Sequence, residues 1–281
     1  MSLRFSKMHG LGNDFVLVDC RSQPLALDGA AIRTLGDRHF GVGFDQLLTI
    51  EPARDATCAF AYGIWNTDST RSGQCGNGLR CVARWLARAG VLGEGMTRLE
   101  SPSGPVAVEL LASGHVRAEM GEPRFEAATI PLVVDAHAMD TVNARCTIDV
   151  VGRDTIIGAV SMGNPHAVVV VDDVDSAAVA ALGPQIEHSS AFPQGCNVGF
   201  AQVVSRDAIR LRVWERGVGE TLACGSGACA AVAVLRQRAE LDAEVRVMLP
   251  GGELDIHWQG LGHPLWMSGP AAFVFEGEWH H

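Results

Sequence analysis

The amino-acid sequence predicts an α/β (α+β) protein of two pseudo-symmetric domains, each a curved β-sheet or barrel around one central helix. Three features predict this fold: an internal repeat, short β-branched runs in both halves, and one small-residue helical pattern in each half. The length of 281 residues accommodates two domains of ordinary size.

The internal repeat is the strongest of these features. GNDFVLVD begins at Gly12 and GNPHAVVVV begins at Gly163, which matches Asn13 to Asn164 at an offset of 151. Further pairs have offsets of 151, 149, 149 and 147, in this order: Gln46 with Asn197, Asn66 with Glu215, Cys75 with Cys224, and Met120 with Met267. A repeat of this length is too long for a solenoid unit and suits two domains of one fold.

The repeat also predicts the domain bounds. We expect an N-terminal domain of residues 1–121 that is completed by a returning C-terminal strand within 265–281. The second domain is expected at 122–264, with the active-site cleft between the two domains. The proline-containing stretch MGEPRFEAATIPL is the expected crossing, and MSGPAAFVFEG is the expected returning strand.

Strands and helices follow from side-chain periodicity. FVLVD, AVVVV, IRLRVWE and VRVML predict strands, and SPSGPVAVEL and LPGGELDIHW each predict a turn followed by a strand. Apolar residues at i, i+3, i+4 and i+7 predict one buried helix per half: Leu79, Val82, Ala83 and Leu86, then Ala228, Ala231, Val232 and Leu235. Shorter helices are expected at 28–38 and 176–182.

Composition and charge exclude several classes of protein. The net charge of −10 argues against a nucleic-acid partner, which requires a basic surface. No apolar run approaches the roughly 18 residues of a membrane span and no signal-peptide core follows the start, so we expect a cytoplasmic protein with no membrane partner. The eight cysteines should then be reduced, and their spacing predicts no metal site: Cys20, Cys58, Cys75, Cys81, Cys146, Cys196, Cys224 and Cys229.

Two of these thiols occur in matched contexts, QCGNG at Cys75 and ACGSG at Cys224, each at the predicted start of a buried helix. A helix N-terminus has unpaired N–H groups and a partial positive charge, which favours a thiolate there. Glycine lets a substrate approach the backbone closely. The residues after each thiol are therefore candidates for binding a carboxylate: Gly76, Asn77, Gly225 and Ser226.

A matched pair of thiols suits the inversion of a stereocentre by proton transfer. The reaction needs a base on one face of the carbon and an acid on the other, and the two exchange roles in the reverse direction. Without a cofactor, the charge flows onto the substrate carboxylate, where N–H donors stabilise it. The sequence therefore predicts that Cys75 and Cys224 are the acid and base and that no cofactor is needed, whereas the other six cysteines pack in the core.

Polar residues at predicted strand ends form a candidate substrate shell. Arg216 follows a strand that ends near Trp214 and suits a carboxylate. His166 is a candidate for orienting a thiol, with packing in the core as the alternative. The other members of this shell are Asn13, Gln46, Asn66, Asn164, Asn197 and Glu215.

The sequence resembles the diaminopimelate epimerase family along nearly the whole chain, in KMHGLGNDF, DRHFGVGFDQ, QCGNG, VSMGNPH, ERGVGET, ACGSGACAAVAV and LPGGELDI. The resemblance implies a pyridoxal-free isomerase that interconverts LL- and meso-diaminopimelate, on the bacterial route to lysine and cell-wall peptide. It implies two similar α/β domains, a barrel around a helix in each, and commonly a homodimer. It implies the same roles for the thiols and the carboxylate-binding residues, with Gln46 and His166 near the thiols and these substrate contacts: Asn13, Asn66, Asn164, Asn197, Glu215 and Arg216.

Two positions depart from the family pattern. The family often has N-A-D-G-S where this chain has N-T-D-S-T at residues 66–70, so the loop after Asn66 lacks a glycine. Cys196 stands before Asn197 where an apolar residue is expected, and oxidation chemistry at this extra thiol is a further hypothesis.

Other functions stay open at this point. A proline or hydroxyproline racemase shares the fold and the two thiols, but its substrate needs no second amino-acid anchor such as Arg216. A related isomerase of phenazine biosynthesis lacks the thiols, and a noncatalytic amino-acid-binding protein would leave the substrate α-hydrogen in place. A nicotinamide enzyme is disfavoured, because GLGNDF and GVGFDQ lack the third glycine of a dinucleotide-binding motif.

Overall fold

The computed structural model describes residues 2–73, 75–93, 95–135 and 138–280. The chain divides into two compact units, unit 1 (Met1–Glu119 with Ser268–His281) and unit 2 (Met120–Met267). The bounds expected from the repeat lie within three residues of these.

Strands make up most of the secondary structure of both units, and α-helices lie between some of them. The strands are β1 (Ser2–Gly10), β2 (Asn13–Asp19), β3 (Gln46–Glu51), β4 (Phe60–Asn66), β5 (Met96–Ser101), β6 (Gly104–Leu110), β7 (Val116–Glu119), β8 (Met139–Asp140), β9 (Arg145–Asp149), β10 (Asp154–Ser161), β11 (Pro165–Val170), β12 (Asn197–Ser205), β13 (Ala208–Glu215), β14 (Gly219–Thr221), β15 (Glu244–Leu249), β16 (Gly252–His257), β17 (Trp266–Gly269) and β18 (Ala272–His280). The helices are α1 (Gly29–Gly36), α2 (Gly76–Arg88), α3 (Val179–Glu187) and α4 (Gly225–Gln237), and a 3-10 turn lies at Ala127–Thr129.

The sheets of the two units repeat one pairing pattern. In unit 1 the strand order is β18-β1-β2-β3-β4-β5-β6-β7, with β2 parallel to β3, β4 parallel to β5, and the other pairs antiparallel. In unit 2 the order is β9-β10-β11-β12-β13-β15-β16, with β11 parallel to β12, β13 parallel to β15, and the other pairs antiparallel. Strands β1–β6 thus correspond one by one to β10–β13, β15 and β16, which confirms the repeat and the mixed α+β fold.

One central helix in each unit packs against both ends of its sheet. Helix α2 contacts β1 and β2 near one end of the strand order and β6 and β7 at the other. Helix α4 contacts β10 and β11 toward one end and β16 at the other. A flat sheet cannot bring such distant strands to one helix, so each sheet curves around its helix as predicted.

The predicted apolar stripes form the two cores. In α2, Leu79, Val82, Ala83 and Leu86 are fully buried, and in α4 every residue from 228 to 235 is fully buried. Burying one leucine side chain contributes roughly 2 kcal/mol of hydrophobic free energy. The small residues of α4 let the surrounding strands approach the helix closely.

The predicted bounds of the two shorter helices agree with the structure to different extents. Helix α1 lies within the expected range 28–38, and the Asp28 carboxylate caps it by accepting from the Ala31 N–H at 2.8 Å. The expected range 176–182 for α3 is wrong, because the helix begins at Val179 and continues through Pro184 to Glu187. Proline removes one helical hydrogen bond, but the last turn is anchored because Glu187 Oε2 accepts from the indole N–H of Trp214 at 2.7 Å.

The C-terminal strand returns to the first strand of the chain. Strand β18 pairs antiparallel with β1, from His280 opposite Ser2 to Ala272 opposite His9. The stretch MSGPAAFVFEG, in which we expect the returning strand, includes residues 272–277 of β18, and Ser268–His281 belongs to unit 1.

The eight cysteines are all free thiols. Within residues 2–73, 75–93, 95–135 and 138–280, no helix is long and apolar enough to cross a membrane. The same residues contain no group of three or more His, Cys, Asp or Glu side chains placed to hold a metal ion.

Candidate active site

The two predicted thiols occupy the same position in the fold. Cys75 is the N-cap residue of α2 and Cys224 is the N-cap residue of α4, and both have extended backbone dihedrals. The N–H of Gly78 donates to Cys75 Sγ at 3.3 Å, so the sulfur takes the place of the usual capping oxygen. The predicted carboxylate-binding residues are the first two of each helix, where N–H groups lack intrahelical partners: Gly76, Asn77, Gly225 and Ser226.

The Cys75 sulfur also faces an oxygen acceptor. Asn13, the first residue of β2, places Oδ1 3.8 Å from Cys75 Sγ. Asn77 Nδ2 donates to the same oxygen at 3.2 Å. The sulfur therefore has an N–H donor, which favours the thiolate, and an oxygen acceptor, which favours the thiol. These surroundings suit a group that acts as base in one direction and as acid in the other.

Gln46 and Asn66 form a second polar pair in unit 1. They lie opposite each other at the start of β3 and the end of β4, and Gln46 Nε2 donates to Asn66 Oδ1 at 3.0 Å. In the turn that follows, Ser69 has a φ of +72°, a conformation that favours glycine. The turn forms without that glycine because Asp68 Oδ1 accepts from the N–H and hydroxyl of Thr70 at 2.8 and 2.6 Å.

Three of the predicted residues of unit 2 lie at the start of β11 and β12. Asn164 precedes β11, and the parallel register places His166 opposite Asn197. His166 Nε2 lies 2.9 Å from Asn164 Oδ1, and the Arg216 N–H donates to Asn197 Oδ1 at 3.0 Å. Burial, together with the Arg216 cation, lowers the pKa of His166 to about 3. The imidazole is therefore neutral at neutral pH and holds Asn164, and its expected role toward a thiol stays a prediction.

Cys224 is buried, and its Sγ lies 3.6 Å from Ser226 Oγ. Burial and then the Glu215 carboxylate raise the pKa of the Cys224 thiol well above its ordinary value, against the opposing effects of Ser226 and the Gly227 N–H. The N–H group of Gly227 at the helix terminus does favour the thiolate, as expected, but desolvation and the Glu215 carboxylate outweigh it. Cys224 is a thiol at neutral pH.

Glu215 ends β13 and Arg216 follows it, and their side chains point to different neighbours. Glu215 Oε1 accepts from Thr221 Oγ1 at 2.5 Å, and the same carboxylate lies beside Cys224. The guanidinium of Arg216 is exposed, and its Nη1 donates to the Gln194 carbonyl at 3.2 Å. The structure thus joins Glu215 to the second thiol, whereas the Arg216 side chain reaches the loop before β12.

Cys196, the extra thiol, is enclosed by the core of unit 2. It is fully buried, with its Sγ 4.0 Å from the Ile186 carbonyl. Burial and the Glu187 carboxylate raise its pKa, so it is protonated at neutral pH. A buried and protonated thiol reacts slowly with oxidants, which argues against the hypothesis of oxidation chemistry.

Two charged residues near Cys75 escaped the sequence reasoning. Arg80 of α2 is fully buried, and its Nη2 donates to Asn77 Oδ1 at 2.9 Å. Asp45 precedes β3, and its Oδ2 accepts from Asn13 Nδ2 at 2.8 Å. A charge inside the apolar stretch GLRCVA is the signal that indicates Arg80, since a buried arginine needs fixed partners. Asp45 is exposed and offers no comparable signal in the sequence.

The family model for diaminopimelate epimerase matches residues 5–126 and 158–274. The chain belongs to the diaminopimelate epimerase family. A relative called diaminopimelate epimerase in Xanthomonas axonopodis pv. citri (strain 306) is 53% identical, over 99% of this chain and 96% of its own. A relative of the same name in Xanthomonas oryzae pv. oryzae (strain MAFF 311018) is 52% identical over the same shares. The chain is accordingly an isomerase with a small-molecule substrate.

Solved structures with this fold extend beyond the diaminopimelate epimerase family. A phenazine biosynthesis protein of the PhzF family from Bacillus anthracis has a TM-score of 0.70 and 12% identity, covering 100% of both chains. A hydroxyproline epimerase from Agrobacterium vitis has a TM-score of 0.68 and 17% identity, covering 99% of this chain and 92% of its own. At such low identity the likeness concerns the fold alone.

Proposed function

We propose that the chain interconverts LL- and meso-diaminopimelate by a two-base mechanism in which Cys75 and Cys224 are the acid and base. One sulfur, as thiolate, removes the α-proton, and the other, as thiol, donates a proton to the opposite face of the same carbon. The negative charge passes onto the α-carboxylate, which the first-turn N–H groups of α2 and α4 stabilise. The reverse reaction exchanges the two roles, and no cofactor takes part.

The observation that carries this proposal is the matched placement of the two thiols. Each caps a 13-residue helix, and each sulfur lies between a helix N–H and an oxygen acceptor. The fully buried cysteines 81 and 229 lie further along the same helices and illustrate the alternative role of packing in the core.

The polar shell supports a substrate with two amino-acid ends. We propose that the shell contacts the substrate and that several of its members hold the distal amino-acid end: Arg216, Glu215 and the side-chain amides of Asn13, Gln46, Asn66, Asn164 and Asn197. His166, neutral and buried, supports this shell by holding Asn164. A proline or hydroxyproline racemase is the second candidate, since an epimerase of hydroxyproline shares the fold.

Proton NMR of LL-diaminopimelate in deuterium oxide, with a reducing agent and no added cofactor, tests the proposal. We expect the α-hydrogen signal to disappear while the meso isomer forms. Exchange of proline or hydroxyproline instead of diaminopimelate would transfer the assignment to the racemase. Absence of exchange with all three, in protein with free thiols, would refute the enzymatic reading of the two cysteines.

Matched cysteine variants separate the catalytic role from packing. Cys75→Ala and Cys224→Ala are expected to lose epimerisation by at least about a thousandfold and to stay folded, because each removes one of the two proton-transfer groups. The controls are Cys81→Ala and Cys229→Ala, further along the same helices, which should keep most of the activity. Near-normal rates in either of the first two variants would contradict the two-base mechanism.

We also infer that the chain works in the cytoplasm and as a homodimer. Eight free cysteines support a reducing compartment. Membership of the diaminopimelate epimerase family supports the dimer. Light scattering should give about twice the chain mass of 29.8 kDa, and a mass equal to one chain would contradict the dimer.

A further inference from the structure

A row of four polar side chains in unit 1 ends beside the Cys75 sulfur. Asn13 Nδ2 donates to Asp45 Oδ2 at 2.8 Å, and Asn13 Oδ1 accepts from Asn77 Nδ2 at 3.2 Å. Asn77 Oδ1 in turn accepts from Arg80 Nη2 at 2.9 Å. The polar row Asp45–Asn13–Asn77–Arg80 therefore runs as an unbroken series of hydrogen bonds, with Cys75 Sγ 3.8 Å from the central oxygen.

The chemistry of the two ends fixes the direction of the row. An ionised Asp45 carboxylate can only accept, so Asn13 must present its NH₂ group to it. An arginine can only donate, so Asn77 must present its oxygen to Arg80 and its NH₂ group to Asn13. Neither amide can turn over without placing two donors or two acceptors face to face. The atom of Asn13 that faces Cys75 is therefore always the oxygen.

We propose that Asp45 and Arg80 are positioning residues, which hold the Asn13 amide oxygen toward Cys75 so that the thiol form of this cysteine keeps a hydrogen-bond acceptor. The inference rests on the proposed acid and base role of Cys75. A turned amide would offer an NH₂ group beside the Gly78 N–H, and the sulfur would then be stabilised only as thiolate. Such a sulfur is a poorer acid for the return of the proton.

The surroundings of Asp45 make Asp45→Asn an informative change. Asp45 Oδ1 accepts from Arg38 Nη2 at 2.7 Å, while Oδ2 faces Asn13. An asparagine at position 45 that keeps its oxygen toward Arg38 must turn its NH₂ group toward the NH₂ group of Asn13. Turning Asn13 over moves this conflict to the NH₂ group of Asn77, so neither orientation of Asn13 is free of a facing donor. The Asn13 amide therefore loses its fixed direction, and the turned form, with its NH₂ group toward Cys75, becomes accessible. Because 43% of the Asp45 side chain is exposed, the variant should fold.

The direct readout is the pH dependence of Cys75 alkylation by iodoacetamide, followed by peptide mapping in protein without substrate. In Asp45→Asn the midpoint for Cys75 should move to lower pH by about one unit, since the turned amide stabilises the thiolate. The value of kcat/KM for epimerisation should fall about tenfold. Thermal unfolding of each variant shows whether the fold is intact.

Two further variants separate the direction of the row from the loss of charge. Asp14→Asn removes one negative charge beside the same Arg38, but the Asp14 carboxylate bonds Arg38 and Lys7 rather than the Asn13 side chain. It should leave the Cys75 midpoint within about 0.3 pH unit of the parent and kcat/KM within about twofold, apart from any loss of stability. The double variant Asp45→Asn with Arg38→Met lets the new asparagine turn its oxygen to Asn13. It should restore the Cys75 midpoint to within about 0.5 pH unit of the parent and kcat/KM to within about threefold.

Equal shifts in Asp45→Asn and Asp14→Asn would overturn the proposal, since charge alone would then explain the effect. The proposal would also be overturned if the double variant Asp45→Asn with Arg38→Met showed the same Cys75 midpoint and the same loss of kcat/KM as Asp45→Asn alone. At the other end of the row, Arg80→Lys retains a donor. Its Cys75 midpoint and kcat/KM should therefore lie closer to the values of the parent than those of Arg80→Met. If the unmodified chain fails to exchange the α-hydrogen of diaminopimelate, the proposed function falls, but the alkylation profiles still decide whether the row orients Asn13.

Discussion

Replacing Glu215 by glutamine should make Cys224 more reactive while lowering catalysis. The Glu215 carboxylate is the second cause, after burial, of the raised pKa of the Cys224 thiol. Two unit charges about 4 Å apart interact by about 4 kcal/mol at an effective dielectric constant of about 20. Glutamine removes this charge but keeps a dipole, and burial is unchanged, so we expect the pKa of the Cys224 thiol to fall and to stay above the ordinary value.

The assay is the pH dependence of alkylation at Cys224, measured by peptide mapping without substrate. Glu220→Gln is the matched control, because it removes the same charge from neighbouring β14, where Glu220 pairs with Arg212 at 2.6 Å. The Glu215→Gln midpoint should move to lower pH, and the control should not move. An unchanged Cys224 midpoint, or equal movement in both variants, would refute the reasoning that the Glu215 charge holds this cysteine as a thiol.

Three other predictions concern stability and packing. Burial raises the pKa of the Cys81 thiol from 9.0 to about 12, so this thiol contributes stability that is fully present below pH 9 and is lost as pH rises toward 12. Burial, together with Glu51 and Asp19, also raises the pKa of Cys20. By pH 11 Cys81 alone should lower the free energy of unfolding by about 3 kcal/mol, and a titration of that free energy that stays flat to pH 11 would contradict this. Gly227→Ala would place a methyl group 3.2 Å from a methyl group of buried Val213 and 3.3 Å from Cys224 Cβ. We expect kcat/KM to fall several-fold with little change in melting temperature. Unchanged kcat/KM would show that the neighbouring side chains move aside without disturbing Cys224. Gly158→Ala would place a methyl group 2.2 Å from a methyl group of Val234 in α4. Calorimetry should show that the free energy of unfolding falls by about 2–3 kcal/mol. An unaltered melting temperature would mean that α4 moves to accommodate the methyl group.

Much of the fold could be predicted because the two halves of the sequence repeat the same pattern of strands and helices. Residues matched by the repeat occupy equivalent places: Gln46 and Asn197 begin β3 and β12, and Cys75 and Cys224 cap α2 and α4. Periodicity predicted the two central helices because their buried stripes are long and apolar. The bounds of α3 were missed because tertiary anchoring of Glu187 carries that helix past Pro184, where local signals predict an end.

The candidate site was predictable in its residue types but not in its electrostatics. A cysteine before two glycines predicts a helix start, and both thiols lie at one. The same pattern cannot reveal that Cys224 is desolvated beside Glu215, because Glu215 lies nine positions earlier in the sequence, at the end of β13. Nor can it reveal the bond between Asp45 and Asn13, which joins residues 32 positions apart.

The two halves of the repeat supply their oxygen acceptors from different places, which makes the thiols unequal. Cys75 faces Asn13, at the start of β2, whereas Cys224 faces Glu215, at the end of β13 where the first copy has Asn66. A neutral amide leaves both protonation states of a thiol accessible, but a carboxylate strongly disfavours the thiolate. For the proposed mechanism we therefore predict that Cys75 is the base and Cys224 the acid in the protein without substrate. The preferred starting direction of proton transfer then comes from the position of the acceptor in each half of the repeat, within one common fold.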